Sequence, residues 1–173
     1  LYRVDGEYNP PKGLRFNYHK YLFDPYAKAF SKGSVFRSYN NQRSAGLAGI
    51  QNGELFDLSD FPKCVVVDDD DFDWEGDKPL NYSLEKTVIY ETHLKGFTAS
   101  DSSNVKNKGT YKGFAEKIEY LKKLGITSVE FLPIFEFDEN ENGNVNPRTG
   151  EKLVNYWGYS TIGFFAPKTS YAA

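Results

Sequence analysis

The chain has 173 residues, with 21 basic and 24 acidic side chains, a formal charge of −3 and 39% hydrophobic residues. These values are typical of a globular protein, and they exclude a nucleic-acid binder that depends on a strongly basic surface. No apolar run approaches the roughly 20 residues that span a bilayer, and no charged and then apolar leader opens the chain, so we expect no membrane segment. Because Cys64 is the only cysteine, no intramolecular disulfide can form, and we expect a cytoplasmic location.

The first 86 residues predict short elements joined by loops. Three prolines in residues 1–30 remove backbone donors, so we interpret this stretch as a strand end followed by a connector. Residues 31–53 are rich in Ser, Asn, Gly and Gln and show neither helix nor strand periodicity, which favours a loop or linker. The β-branched residues of 63–67 indicate a short strand, which ends at the acidic run that begins with Asp68.

The strongest periodic signal lies in residues 111–124. The apolar side chains that recur there at helical spacing are Tyr111, Phe114, Ala115, Ile118, Leu121 and Leu124. Thr110 is a suitable N-cap, and Gly125 stands where a left-handed residue commonly ends a helix. The spacing therefore predicts one helix over this range.

Strand-like sequences flank this helix on both sides. Residues 88–94 are rich in β-forming side chains and precede a Gly, Ser and Asn loop that starts at Gly96. Residues 128–134 are almost continuously apolar, as expected of a buried strand. A strand, a crossover helix and a second strand predict a right-handed βαβ unit with parallel pairing.

One βαβ unit cannot bury its own sheet, because a parallel sheet needs cover on both faces and partners at its edges. Residues 87–173 amount to about one third of the roughly 250 that a (β/α)8 barrel takes. The sequence also contains no methionine. We therefore expect a trimmed chain or an internal piece of a longer protein, with the rest of the sheet missing or supplied by another chain.

Aromatic residues are abundant, with 13 Tyr, 14 Phe and 2 Trp. Many lie in polar contexts, such as residues 155–159. Aromatic rings stack on the apolar C–H faces of sugars, but they also pack protein cores and sheet faces. Composition alone favours packing.

Three carboxylates, Glu91, Glu136 and Asp138, lie in or just after the predicted strands, near the carboxyl ends where barrel active sites form. Two carboxylates that act together on one bond must straddle it at about 5 Å, and sequence spacing cannot establish that distance. We favour salt bridges or loop hydrogen bonds for these three residues.

The two histidines are His19, in the N-terminal connector, and His93, which we place on the face of the first strand opposite Tyr90 and Thr92. Neither has a second histidine nearby for metal binding or for a base-orienting pair. A hydrogen-bonded structural role is favoured for both.

Two stretches match the first half of the twelve-residue EF-hand calcium loop. Residues 138–143 fit its first six positions, and residues 71–76 nearly do. The chelating Glu expected at position twelve is Thr149 in the first stretch and Tyr82 in the second. We favour polar loops and expect no metal or other cofactor, with a weak calcium site as the alternative.

Residues 81–83 match a glycosylation sequon, which we interpret as coincidence without a secretory leader.

Several segments resemble one known family. Parts of residues 14–28 resemble the end of the β-sandwich glucan-binding module of isoamylase-type glycogen debranching enzymes, in the α-amylase clan. Residues 88–98 (VIYETHLKGFT) are similar to their first barrel strand, and residues 109–134 are similar to their first helix and second strand. Residues 155–172, which begin NYWGY, are similar to the segment that leads to their third strand. The four matches occur in family order and leave only residues 31–60 untouched.

The resemblance implies an α/β fold: the opening part of a (β/α)8 TIM barrel in residues 87–173. The end of a β-sandwich module and its connector would precede it in residues 1–30, and a linker with a short strand in residues 31–86. The resemblance also implies a retaining glycoside hydrolase that cleaves the α-1,6-glucosidic branch points of glycogen-like glucans. The partners would be branched α-glucan and the rest of the barrel, with neither nucleic acid nor membrane.

In this family the catalytic carboxylates come from later strands, so no catalytic residue is assigned and we expect the 173-residue chain alone to be inactive. The resemblance assigns substrate binding to the NYWGY motif. Tyr159 would form an aromatic platform under the sugar whose bond breaks and would shield its oxocarbenium-like centre, with Trp157 and Asn155 in support. The alternative is that Trp157 and Tyr159 pack beneath a loop.

Two other functions stay open. The chain could be a non-catalytic glucan-binding or structural piece that presents Trp157 and Tyr159 on a partner's barrel. It could also come from a branching enzyme, a pullulanase or a trehalose-releasing hydrolase of the same clan. The insert in residues 135–158 fits the debranching pattern best.

Overall fold

The computed structural model describes residues 1–18, 21–31, 50–51, 54–55, 62–68 and 72–173. The strands are β1 (Tyr8–Asn9), β2 (Leu14–Arg15), β3 (Ile50–Gln51), β4 (Glu54–Leu55), β5 (Ile89–Thr92), β6 (Ser128–Phe131), β7 (Phe135–Phe137) and β8 (Thr161–Pro167). The α-helices are α1 (Leu94–Thr98), α2 (Tyr111–Ala115) and α3 (Ile118–Lys123). Short 3-10 helices occupy Pro10–Lys12, Leu84–Lys86, Asp101–Ser103 and Thr169–Tyr171. Across these ranges, no helix has the length and apolar character needed to cross a bilayer.

The predicted βαβ unit is confirmed. Strands β5 and β6 pair in parallel, with Tyr90 opposite Val129. Thr110 caps the crossover as predicted, because its Oγ1 accepts a hydrogen bond from the Gly113 N–H at 3.1 Å. Gly125 ends the helical stretch with φ of +85°, the left-handed conformation that glycine adopts without steric cost.

The crossover consists of two helices, so the prediction of one continuous helix over residues 111–124 is wrong. Helix α2 stops at Ala115 and α3 starts at Ile118. The Glu116 carboxylate, in the interruption, accepts hydrogen bonds from the backbone N–H groups of Lys106 at 2.8 Å and Asn107 at 3.1 Å. The side chain at the break therefore anchors the preceding loop to the crossover.

The hydrogen bonds that the Glu116 carboxylate accepts should make the stability of the fold depend on pH. The Lys106 N–H, followed by the Asn107 donors, lowers the pKa of Glu116 below its usual value near 4.3. Because the pKa is lower in the folded state, ionised Glu116 stabilises the fold above about pH 4, and that stabilisation is lost as the pH falls through the folded pKa. We expect Glu116→Gln to be less stable than the unmodified chain near neutral pH and equally stable at about pH 2–3. Urea denaturation over this pH range measures the difference in free energy of unfolding between the two chains. A difference that does not change with pH would contradict the prediction.

The strands end earlier than the sequence predicts. Residues 88–94 do not form one strand, because β5 ends at Thr92 and the chain enters helix α1, where a loop was predicted from Gly96. Similarly, residues 128–134 do not continue as one strand. Pro133 has no N–H to donate, and β6 stops at Phe131.

Beyond β6, the chain reverses into an antiparallel pair. Strand β7 lies against β8, with Glu136 opposite Gly163 and Phe137 opposite Thr161. The register shifts between these pairs, so β8 bends along its partner. The long loop between β7 and β8 carries residues 155–159.

The main core joins these elements. Its buried members are Leu94, Phe114, Leu121, Phe137 and Tyr171. Partly buried side chains from β5, β6 and the helices pack around them, including Tyr90, Val129 and Phe131. A smaller cluster of Ala27, Phe30 and Ala166 connects the N-terminal residues to β8. The βαβ unit and the β7–β8 pair therefore share one core.

The described N-terminal residues form only short pairings, as predicted for residues 1–30. Strands β1 and β2 make a hairpin, and Tyr2 forms an isolated bridge with Leu22. The predicted strand over residues 63–67 is reduced to one bridge between Cys64 and Phe30, and Val66 is 99% exposed. The β-sandwich assignment stays a prediction. Most of the predicted linker and His19 lie outside the described residues.

Within the described part of the chain, β5 and β6 have only each other as strand partners. Val88, directly before β5, and Ile89, its first residue, are at least half exposed although both are apolar. An apolar strand with an unpaired edge is unfavourable in water. The arrangement is the one expected of a barrel's opening unit.

Candidate functional site

The predicted sugar-binding motif lies in the loop between β7 and β8, and we call residues 155–159 the aromatic segment. The Trp157 side chain is 57% exposed and Tyr159 is 73% exposed. Among the residues that the structure describes, nothing covers either ring as a loop packed over it would. The segment therefore presents two aromatic rings to solvent.

Asn155 holds the backbone of the aromatic segment. Its Oδ1 accepts a hydrogen bond from the Gly158 N–H at 2.9 Å, and its Nδ2 donates to Glu141 Oε1 at 2.7 Å and to Ser160 Oγ at 3.0 Å. Ser160 Oγ donates to the same Glu141 oxygen. Because both ends of the amide have protein partners, the geometry favours positioning of the segment by Asn155 over direct contact with a sugar.

Gly158 allows the segment to turn tightly over the core. Its φ is +77°, and a Cβ at this position would stand 2.6 Å from the Phe137 ring. Phe137 is fully buried, and its ring lies edge-on to Tyr171. Both the backbone conformation and the lack of space exclude a larger residue here.

His93 makes the contact between the end of β5 and the aromatic segment. The predicted position of His93, on the strand face opposite Tyr90, is wrong. Strand β5 has already ended there, and His93 is the N-cap of α1. Its Nδ1 accepts from the Gly96 N–H at 3.0 Å, and its Nε2 lies 2.9 Å from the Tyr156 carbonyl oxygen. Its ring also stacks on Tyr156, with centroids 4.3 Å apart. The structural role favoured for His93 is confirmed. Its partner, Tyr156, was not predicted from the sequence.

A buried ion pair lies beneath β7 and β8. Lys168 Nζ is 2.9 Å from Glu136 Oε1, and both side chains are fully buried. Lys168 also donates to the Phe137 carbonyl oxygen at 3.0 Å, and the other Glu136 oxygen accepts from the Thr169 N–H and hydroxyl. Glu136 is thus fully engaged with protein donors, and the salt-bridge interpretation is confirmed.

The other two candidate carboxylates differ in their surroundings. Asp138 is buried and accepts a hydrogen bond from the Asn140 N–H at 2.9 Å. Burial raises the pKa of Asp138, and the Asn140 N–H opposes this shift. Glu91 lies on an exposed position of β5. The loop hydrogen bond predicted as an alternative to catalysis is therefore present at Asp138.

Tyr111 joins the crossover helix to this buried region. Its hydroxyl donates to the Ile134 carbonyl oxygen at 2.6 Å and accepts from the Lys168 N–H at 2.9 Å. Burial raises the pKa of Tyr111 to about 12, so the hydroxyl stays protonated and keeps its donor at neutral pH. The hydroxyl links β8, the turn after β6 and helix α2.

The calcium-like stretches form turns. Asn142 Oδ1 accepts from the Asn144 N–H, and Asp73 Oδ1 accepts from the Glu75 N–H. Among the residues that the structure describes, no group of three His, Cys, Asp or Glu side chains is placed to hold a metal ion. Asp71, the first residue of the second stretch, lies outside the described residues.

The arrangement can offer flat apolar surfaces on a fixed backbone. Trp157 and Tyr159 supply the ring faces. His93 holds the Tyr156 carbonyl directly before Trp157, and Asn155 holds the Gly158 N–H between the two rings. The segment meets the carboxyl end of β5, the side of a parallel barrel where ligands bind.

The family motif identified the two rings, and a structural role was favoured for His93. The partner of His93, Tyr156, and the roles of Glu141 and Ser160 were missed, because only the fold of the loop brings these residues together.

Comparison with known proteins agrees with this fold. The profile described as "Alpha amylase, catalytic domain" matches residues 92–159. Type I pullulanase from Bacillus subtilis, solved with maltose, is 31% identical with a TM-score of 0.56, over 91% of this chain and 19% of that one. The opening elements are therefore those of a TIM-barrel glycoside hydrolase fold.

Two curated relatives align along nearly the whole chain. Isoamylase 1, chloroplastic, from Arabidopsis thaliana is 40% identical over 173 residues, which are 99% of this chain and 20% of the relative. The glycogen debranching enzyme of Yersinia enterocolitica is 39% identical over 178 residues, which are 99% of this chain and 25% of the relative. The chain thus spans a fifth to a quarter of the length of these relatives. The predicted resemblance is confirmed: from end to end, this chain is related to a segment of the isoamylase-type glycogen debranching enzymes of the α-amylase clan.

Proposed function

We propose that the protein is a glycoside hydrolase that cleaves α-1,6-glucosidic branch points of glycogen-like glucans with a retaining mechanism. The observation that carries this proposal is the aromatic segment, with Trp157 and Tyr159 open to solvent, at the carboxyl end of β5. The 40% identity to an isoamylase supports the choice of substrate. The cytoplasmic location stays a prediction.

In the proposed organisation, residues 87–173 open the catalytic barrel. Residues 1–30 would end a β-sandwich glucan-binding module, and residues 31–86 would link the two. The outer edges of β5 and β6, which have no strand partner in the described part of the chain, support the need for further barrel strands. The nucleophile and the acid would come from those strands, so this chain would need the rest of the barrel to react.

The role proposed for this chain is to bind and shield the sugar. A retaining glycosidase passes through a transition state with positive charge on the sugar ring. The Tyr159 ring would place its negative π face against that charge and exclude water from it. Trp157 would extend the apolar surface, and Asn155 would keep both rings in place through Gly158 and Glu141.

Tyr159 provides the test of this role. In a polypeptide that continues from this chain through a complete barrel, we expect Tyr159→Ala to lower kcat/KM for amylopectin by about 30-fold, the equivalent of about 2 kcal/mol. Tyr159→Phe keeps the ring and should keep most of the activity. The assay measures reducing ends released, and we expect none from the 173 residues alone. Release by the 173 residues alone, or full activity in Tyr159→Ala, would contradict the proposal.

A pullulanase is the second candidate, because the Bacillus subtilis pullulanase aligns with most of this chain. The two activities can be separated with two substrates that both contain α-1,6 linkages. A debranching enzyme of the proposed type should release more reducing ends from glycogen than from pullulan, and a reversed preference would favour the pullulanase.

A further inference from the structure

We propose that His93 is a positioning residue that fixes the ring of Trp157 through Tyr156. The positioning itself stands on the geometry of this chain, and only its consequence for glucan binding rests on the proposed function. The two sequence regions it connects are 63 residues apart.

The hydrogen bonds of His93 define its tautomer. The Gly96 N–H donates to Nδ1, so Nδ1 carries no proton. Nε2 then carries the proton and donates it to the Tyr156 carbonyl oxygen at 2.9 Å. One ring thus caps helix α1 and holds the main chain directly before Trp157.

Ring contacts with His93 also restrain Tyr156, whose carbonyl already accepts the hydrogen bond. The His93 and Tyr156 rings are almost parallel, at 13° with centroids 4.3 Å apart. Trp157 lies edge-on to both of these rings, with centroids 6.1 Å away in each case. A change in the His93–Tyr156 stack therefore reaches Trp157 directly.

Gly96 provides the space for this stack. A Cβ on Gly96 would stand 2.6 Å from the Tyr156 hydroxyl oxygen, closer than any real contact, while His93 Cβ would be 3.6 Å away. Gly96 has an ordinary helical position in α1, so alanine would suit its backbone. Gly96→Ala should thus displace the Tyr156 ring without touching the hydrogen bonds of His93.

The experiment uses Trp157 as its own reporter. The chain has two tryptophans, so Trp74→Phe leaves Trp157 as the only one. In this background we compare His93→Phe, which can stack but not hydrogen bond, with His93→Asn, which can still cap α1 but reaches neither the Tyr156 ring nor its carbonyl oxygen. We expect both variants to lower the fluorescence anisotropy of Trp157 and to increase its quenching by acrylamide.

The glycine variant gives an independent answer if the histidine variants fail to fold. Gly96→Ala should loosen Trp157 in the same way. Adding Tyr156→Phe removes the oxygen that clashes and should restore the anisotropy. A residue that only capped the helix would leave Trp157 unchanged in His93→Asn and in Gly96→Ala. Unchanged Trp157 signals in both would overturn the proposal.

Titration with maltoheptaose separates this inference from the proposed function. If the glucan binds to the background chain, we expect the His93 variants and Gly96→Ala to weaken binding by about tenfold, because the rings must then be ordered on binding. Unchanged affinity in all of them would contradict the inference. If maltoheptaose does not bind the background chain, the proposed function fails, and the sugar-free Trp157 signals still decide whether His93 positions the segment.

Discussion

Replacing Lys168 by Met is expected to lower the free energy of unfolding by about 3–5 kcal/mol. Lys168 and Glu136 are both fully buried and 2.9 Å apart. Removal of the lysine leaves a carboxylate in the core without its counter-charge, and that desolvated charge is the main cost. The methionine retains most of the apolar volume, so a cavity contributes little.

The matched control removes the charge from both residues. Glu136→Gln in the Lys168→Met background keeps an oxygen for the Thr169 donors but carries no charge. We expect the double variant to recover a large part of the lost stability in urea denaturation. If the free energy of unfolding of Lys168→Met lies within about 1 kcal/mol of that of the unmodified chain, the ion pair contributes no more than an exposed one and the prediction is wrong.

Gly158→Ala is expected to cost about 2–5 kcal/mol of stability. Part of this cost, about 1–2 kcal/mol, comes from placing a side chain at φ of +77°. The remainder, about 1–3 kcal/mol, comes from the contact at 2.6 Å with the buried Phe137 ring. Since Gly158 directly precedes Tyr159, the same change should displace the proposed platform.

Gly150 separates the two causes. Its φ is +71°, but a Cβ there meets nothing within 4 Å. Gly150→Ala should therefore cost only the backbone part, about 1–2 kcal/mol. The comparison is made by thermal or urea denaturation of the two variants. Equal losses would show that Phe137 yields to the new methyl group.

The sequence predicted those parts of the fold that depend on neighbouring residues. Thr110 and Gly125 were identified as helix ends because capping requires particular residue types at fixed positions. The parallel pairing of β5 and β6 followed from a strand, a helix and a strand in sequence. The interruption at Glu116 was missed because it depends on hydrogen bonds to the loop at residues 106–107.

Long-range contacts account for most of what was missed at the site. Nothing in the sequence connects His93 to Tyr156, and helix α1 was missed because histidine is an uncommon N-cap. For Glu136 a salt bridge or loop hydrogen bond was favoured over catalysis, but its partner Lys168 could not be named because it is 32 residues away. By contrast, the exposed rings of Trp157 and Tyr159 were identified from a family motif, which periodicity would not have revealed.

The central claim, that Tyr159 in the aromatic segment binds α-glucan, is tested most directly by electrophoresis of the folded chain in gels with and without glycogen. Tyr120 is a suitable control, because it is 53% exposed and lies on helix α3, outside both the aromatic segment and residues 1–30. We expect glycogen to retard the unmodified chain and Tyr120→Ala, and to leave Tyr159→Ala at its glycogen-free mobility. Equal retardation of Tyr159→Ala, or no retardation of the unmodified chain, would contradict the claim.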